Sequence, residues 1–372
     1  MKLLSWGANT YGQLGQGIKT EQCSLPGDVK SEYLDLNYLQ SIVGGGGHTL
    51  VLDKSGHVFA CGSNAKGQLG LDMNEEHLVF KKINSLSSHH VTQISCGWDS
   101  SLAVTKDGEL FVWGSNTYGQ LGIPKSKVQY SNIPIKIDVP EITSVSSGLR
   151  HTVMITKDGK VLVCGNGRKG QLGLIDDNGE TIQQLEQPKE VPGMRNIHSA
   201  VCGQHHTIVL TSDGRLYGWG DNKHGQLGLN PILHPTLSSP KEIENLPHEL
   251  NLNSKLFSGW THIAILTENG KVINWGRNTY GQLGCHEFKR PASWKPIIMD
   301  NIGYVKQLAV GSEHNIAILD SGQMISWGWN EHGNCGVGND DDVRVPTLIG
   351  TSMDHPGVLV GSGAGHSFAT VH

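Results

Sequence analysis

Long hydrophobic runs are missing from this 372-residue sequence. No window approaches the roughly 18 consecutive apolar residues of a membrane-spanning helix, so membrane insertion is not expected. The first residues lead straight into a repeat, without the apolar stretch and cleavage site of a secretory leader. The expected location is therefore the cytoplasm, with the nucleus second. Long basic runs are also missing. Lysine and arginine number 29 against 34 acidic residues, the net charge is −5, and no basic run is longer than two residues, as at Lys81-Lys82. Neutralising phosphates needs a basic surface, so direct nucleic-acid binding is not expected. The seven cysteines (Cys23, Cys61, Cys96, Cys164, Cys202, Cys285 and Cys335) are odd in number and contain no C-x-x-C spacing. That argues against a disulfide framework and a zinc site. G-x-S-x-G and H-E-x-x-H are absent as well, which argues against classical hydrolysis. No cofactor and no metal is expected.

Glycine is abundant, with 49 residues, and its distribution is periodic. The pattern W/C-G-x-N-x-x-G-Q-L-G begins at residues 6, 61, 113, 164, 219, 275 and 327, from "WGANTYGQLG" to "WGWNEHGNCG". Its second residue, a glycine, falls at Gly7, Gly62, Gly114, Gly165, Gly220, Gly276 and Gly328, at spacings of 51 to 56 residues. A second pattern, G-x-x-H, ends in His48, His151, His206, His262, His314 and His366; a seventh copy, "GWDS", has Ser100 in the histidine's place. Between the two patterns lie β-branched runs split by turns such as "TKDG", "TSDG" and "TENG". Asp-Gly and Asn-Gly between such runs mark β-hairpins. A further strand fits after the Q-L-G turn, in pieces such as "IPIKI" (133–137) and "PKEI" (240–243). Four short strands per unit is the makeup of a propeller blade.

The chain begins and ends in the middle of a unit. Aligned on "GLRHTVMITKDGKVLVCG", His372 falls at Lys157 and Met1 at Gly159. The expected fold is all-β: one seven-bladed propeller over 1–372, with four-stranded blades. Its seventh blade would be shared between 357–372 and 1–15, and pairing of the N- and C-terminal strands would close the ring. Closure removes an open sheet edge. An open solenoid is the rival architecture, but it would want distinctive polar caps.

The repeated histidines read as scaffold, each bonding nearby backbone to pin a turn, and the Trp of each "WG" reads as packing between blades. "GNGRKG" (165–170) matches G-x-G-x-x-G but leads into the repeat turn, with no helix start, so it is not a dinucleotide site. "NDDD" (339–342) lacks the spaced ligands of a calcium loop. More informative are the pairs inside the G-x-x-H turns: Gly46-Gly47, Trp98-Asp99, Leu149-Arg150, Gln204-His205, Trp260-Thr261, Ser312-Glu313 and Ala364-Gly365. The scaffold does not dictate their identity, and all seven should face one side of the ring. Exposed Trp and Arg are typical binding anchors, so Trp98, Arg150 and Trp260 are candidate partner contacts.

A repeat of fifty-odd residues carrying both patterns resembles the regulator of chromosome condensation family, across essentially the whole chain. Stretches outside the motifs, such as "GGGGH", "CGWD", "SGWTH" and "SWGWNEHG", are most similar to a branch that regulates secretion. The resemblance implies a small-GTPase partner, guanine nucleotide exchange as the activity, and secretory-machinery proteins as further partners. In the family, acidic and histidine side chains from these turns contact the GTPase. The matching positions here are Asp99, His205 and Glu313, which makes them the candidate catalytic set. One family member also carries a longer wedge after an early "WG". The corresponding stretch here runs on uninterrupted, and "PKSKVQY" (124–130) is where a wedge would be sought. A non-catalytic interaction scaffold is the alternative function. Ultraviolet sensing, as in a plant relative, would need a denser tryptophan cluster than Trp98, Trp260, Trp294 and Trp329, the four outside the "WG" positions.

Overall fold

The computed structural model describes all residues except 31–33, 245, 248–249, 286–289, 301 and 351–355. Its 28 strands form seven antiparallel blades of four. The first blade takes its strands in chain order from Leu39–Gly44, His48–Asp53, Val58–Gly62 and His77–Lys82. The second to sixth blades repeat that order, with innermost strands starting at Val91, Ile142, Ile197, Lys255 and Val305. The seventh is assembled from both chain ends. Gly357–Ser362 and His366–Val371 are followed outward by Lys2–Ala8 and Gln22–Asp28. The closing ladder runs residue for residue from Lys2↔Val371 to Gly7↔His366. This blade extends past Gly15, where the sequence pattern stops, because its outermost strand follows the Q-L-G turn by several residues. A single parallel bridge, Ser362↔Val43, then joins the seventh blade to the first.

The hydrophobic core is divided into seven clusters, and each lies between two neighbouring blades. One joins Leu3, Val29 and Phe368 to Val51 and Phe80; another joins Leu4 and Trp6 to Ile316 and Met324. The second and third strands of a blade are therefore buried on both faces. That explains why His151–Thr156 and Ser100–Thr105 read as continuous runs, without the alternation of a half-exposed strand. Closure of the ring is what covers the two outer faces at the chain ends. Each large apolar side chain buried there contributes about 1.5–3 kcal/mol.

Hydrogen bonds account for the repeated residues. In most copies the motif Asn accepts from the backbone N–H of the Leu or Cys five residues on, as in Asn222 Oδ1 from Leu227 at 2.8 Å. The motif Gln side chain accepts from a backbone N–H of its own loop, as in Gln120 Oε1 from Tyr118 at 2.8 Å. The Gln backbone carbonyl faces the next blade. Gln68 O, for example, accepts from Trp113 Nε1 and from Ser101 Oγ, both at 2.8 Å.

The six histidines complete this relay. Each imidazole sits fully buried, with Nε2 2.9–3.1 Å from a polar side chain of the following blade. The partners of His48, His151, His206, His262, His314 and His366 are Ser101, Thr207, Ser258, Asn315, Ser367 and Thr49. The expected backbone partner is thus replaced by a side chain across the junction, and the histidine latches one blade to the next. Ser258 serves His206 because the usual position is apolar Ile263. Where Ser100 replaces histidine, the second blade lacks this imidazole, although Thr152 Oγ1 still donates to Gln120 O at 2.7 Å.

Candidate functional site

Each G-x-x-H turn joins the innermost strand of its blade to the second, so all seven turns stand around one mouth of the central channel. A chain of backbone hydrogen bonds ties them together: Gly46 to Trp98 O, Trp98 to Leu149 O, Gln204 to Trp260 O, Trp260 to Ser312 O, Ser312 to Ala364 O, and Ala364 to Gly45 O. Below them lies a cavity of about 230 Å³, lined by the inner strand ends of every blade. Trp98 and Trp260, from the second and fifth blades, reach across and meet with ring centroids 5.6 Å apart. Gly46 leaves room for this contact, since a Cβ there would stand 2.7 Å from the Trp98 ring and push it aside.

Asp99 is half-buried at the same mouth. Burial raises its carboxyl above the usual aspartate range, while Ser115, Arg150 and Lys66 pull in the opposite direction. Arg150 lies with its guanidinium 4.5 Å from the Tyr118 ring centroid. His205 comes next around the rim. Burial lowers its imidazole, Asp221 raises it, and Lys169 and Arg150 lower it further. Asp99, Arg150 and His205 thus form an electrostatically connected row on three successive blades.

Glu313 is placed differently from what its turn position suggests. It is 5% exposed. Thr261 Oγ1 and Gln282 Nε2 both donate to its carboxylate at 2.6 Å, and Arg277 Nη1 stands 3.7 Å away. Burial raises its carboxyl, with those three groups opposing. Glu313 therefore acts as an internal strut between the fifth and sixth blades, presenting little of itself to solvent.

Other residues at the mouth had no place among the sequence candidates. Trp329, Arg277, Asp221 and Ser115 all occupy the variable position of W-G-x-N. That position shares the rim face, and each of these side chains adjoins a turn residue or the mouth. Variation at the x position was the available signal. Trp329 packs edge-on against His332 with centroids 5.2 Å apart. Three of the four non-motif tryptophans gather near the mouth, while Trp294 packs elsewhere, against Gly225. Residues 124–130 form a turn folded against the third blade, with Lys125 N–H donating to Glu186 at 2.8 Å. "GNGRKG" lies on a strand and its following turn, without a helix. Among the described residues, no group of three His, Cys, Asp or Glu is arranged to hold a metal. No helix among them is long and apolar enough to cross a membrane. Burial pushes the Cys164 and Cys202 thiols up to about 12, so they stay protonated packing residues.

Four-stranded blades, paired chain ends and blade-to-blade latches define a closed propeller made of one repeated unit. The chain belongs to the RCC1-like family: the model of the RCC1-like domain matches residues 2–369. It is 37% identical over 398 residues to the secretion-regulating guanine nucleotide exchange factor of Mus musculus, covering 99% of this chain and 83% of that protein. It is 32% identical to the ultraviolet-B receptor UVR8 of Arabidopsis thaliana, covering 93% of this chain and 77% of that one. Among solved structures, Prp20p of Saccharomyces cerevisiae superposes with a TM-score of 0.84 at 27% identity, over 100% of this chain and 91% of that chain. That protein is described with its binding to Gsp1p and histones. The chain is thus a propeller related to guanine nucleotide exchange proteins.

Proposed function

We propose that the channel mouth docks a small GTPase and speeds release of its bound guanine nucleotide, in the regulation of secretion and acting from the cytoplasm or nucleus. The observation that carries this reading is the convergence of unlike, partner-capable side chains on a single rim. Trp98, Trp260, Asp99, Arg150 and His205 all stand there at scaffold-equivalent positions. Similarity to a secretion-regulating exchange factor over nearly the whole chain supports the choice of partner. The sequence carries no glycine-rich stretch followed by Gly-Lys-Ser or Gly-Lys-Thr, so exchange would act through the partner's pocket. A rim that binds the nucleotide-free partner more tightly than the loaded one shifts the equilibrium towards release. Asp99 and His205 would face the partner's phosphate or magnesium region, with Glu313 holding the turn beside them.

The test is release of fluorescent GDP from a panel of small GTPases, with and without this protein. Acceleration for one member, lost in Asp99→Ala with Trp260→Ala, is the expected result. Stable complexes with unchanged release across the panel would refute exchange and leave a non-catalytic scaffold.

A further inference from the structure

A second cavity, of about 280 Å³, opens on the rim beside the tryptophan pair. Tyr11, Trp98, Trp260 and Trp329 contribute aromatic walls, and Asp99 is the carboxylate among its lining residues. Its base is nearly bare backbone, from Gly46-Gly47 on one side and Ala364-Gly365 on the other. At Gly365 a Cβ would meet both Trp329 and His332 at 3.5 Å, ordinary van der Waals distance, so this wall is in contact with the aromatic side chains without crowding them. None of its lining residues is lysine or arginine.

We infer that this cleft receives an arginine side chain presented by the docked partner, stacked on the tryptophans and paired with Asp99. The inference rests on the rim being the docking face. The same face seats two arginines of its own in this chemistry. Arg150 lies over Tyr118 near Asp99, and Arg277 lies 4.7 Å from the Tyr280 ring centroid with its Nη1 3.7 Å from Glu313. Each site combines an aromatic face with a carboxylate. The cleft sets further aromatic faces beside Asp99, the carboxylate that Arg150 attends from the other rim position, and none of its own lining residues is lysine or arginine. A planar guanidinium suits it better than an ammonium group, because it can stack on a ring and pair with a carboxylate at once. Burial raises the Asp99 carboxyl in spite of Ser115, Arg150 and Lys66, and a cation seated beside it would offset that cost. Trp329 Nε1 donates to Glu331 at 3.2 Å, which orients the ring.

The test uses free amides, with tryptophan emission as readout. N-acetyl-arginine amide should change the emission saturably, N-acetyl-lysine amide more weakly, and the neutral isostere N-acetyl-citrulline amide not at all. Asp99→Asn and Trp329→Phe should each weaken arginine amide binding at least fivefold, and Lys106→Ala, on the opposite face, should leave it unchanged. Equal responses to arginine and citrulline amides would overturn the proposal. So would wild-type binding by both cleft variants. Because the probes need no GTPase, a panel without accelerated release leaves their result standing, and a failed probe titration leaves release to be judged separately.

Discussion

Lowering the pH should unlatch the ring. The side chain facing Nε2 donates its own hydrogen in most junctions, as Thr49 Oγ1 does to Gln13 O and Ser367 Oγ to Asn334 O. It must then accept from the imidazole, so Nε2 carries the proton and Nδ1 stays bare. Nδ1 of all six histidines is buried without a hydrogen-bond partner. A second proton would have nowhere favourable to go, save at His262, whose Nδ1 stands 3.9 Å from the Glu313 carboxylate. Burial accordingly holds His48, His151, His206 and His314 at about 3, and His262 and His366 at about 4. Since these values lie below the imidazole's ordinary 6.5, the unfolded chain binds more protons as the pH falls. Stability is complete above about pH 7 and drains away from 6.5 downward. At pH 5.5 each histidine costs about 1.4 kcal/mol, and the six together about 8 kcal/mol. That rivals the whole stability of a typical domain, about 5–15 kcal/mol. Asp99 and Glu313, whose carboxyls are raised, work in the opposite sense, gaining stability as they protonate at lower pH. Urea unfolding followed by tryptophan emission at pH 7.5, 6.5 and 5.5 measures the slope. A loss below about 2 kcal/mol between the extremes would refute the latch argument.

Two further substitutions probe the scaffold. Ser100→His restores the missing latch, with Gly97 leaving room and Thr152 positioned to accept. It should raise the urea midpoint by the equivalent of about 1 kcal/mol, and an unchanged or lower midpoint would contradict the assigned role. Glu313→Ala orphans Thr261 and Gln282 and leaves Arg277 without its carboxylate. It should cost about 2–3 kcal/mol in unfolding free energy, whereas a solvent-facing carboxylate would cost little.

The fold was largely legible in the sequence, because each blade needs the same answers to the same problems. Asn, Gln and Trp recur because the carbonyl of one blade must be satisfied by the next, and Asp-Gly turns recur because each hairpin needs them. Ring closure was legible from two complementary fragments of one unit. The site was only half legible. Trp98, Asp99, Arg150, His205 and Trp260 do share one rim, as spacing alone suggested. The burial of Glu313 depends on Thr261 in the neighbouring turn and Arg277 in a neighbouring motif, pairings that exist only once blades are packed. Trp329 stood inside a pattern where the x position carried no meaning until the two loop types proved to share a face.

The claim that a partner docks on the G-x-x-H rim is tested most directly by hydrogen–deuterium exchange on the complex with whichever GTPase responds in the release panel. Protection should fall on the turns around Gly46, Trp98, Arg150, His205, Trp260 and Ala364. The hairpin turns at the opposite end, around Ser55, Asp107, Asp158 and Asp213, should exchange as in the free protein. Protection confined to that opposite end would contradict the account.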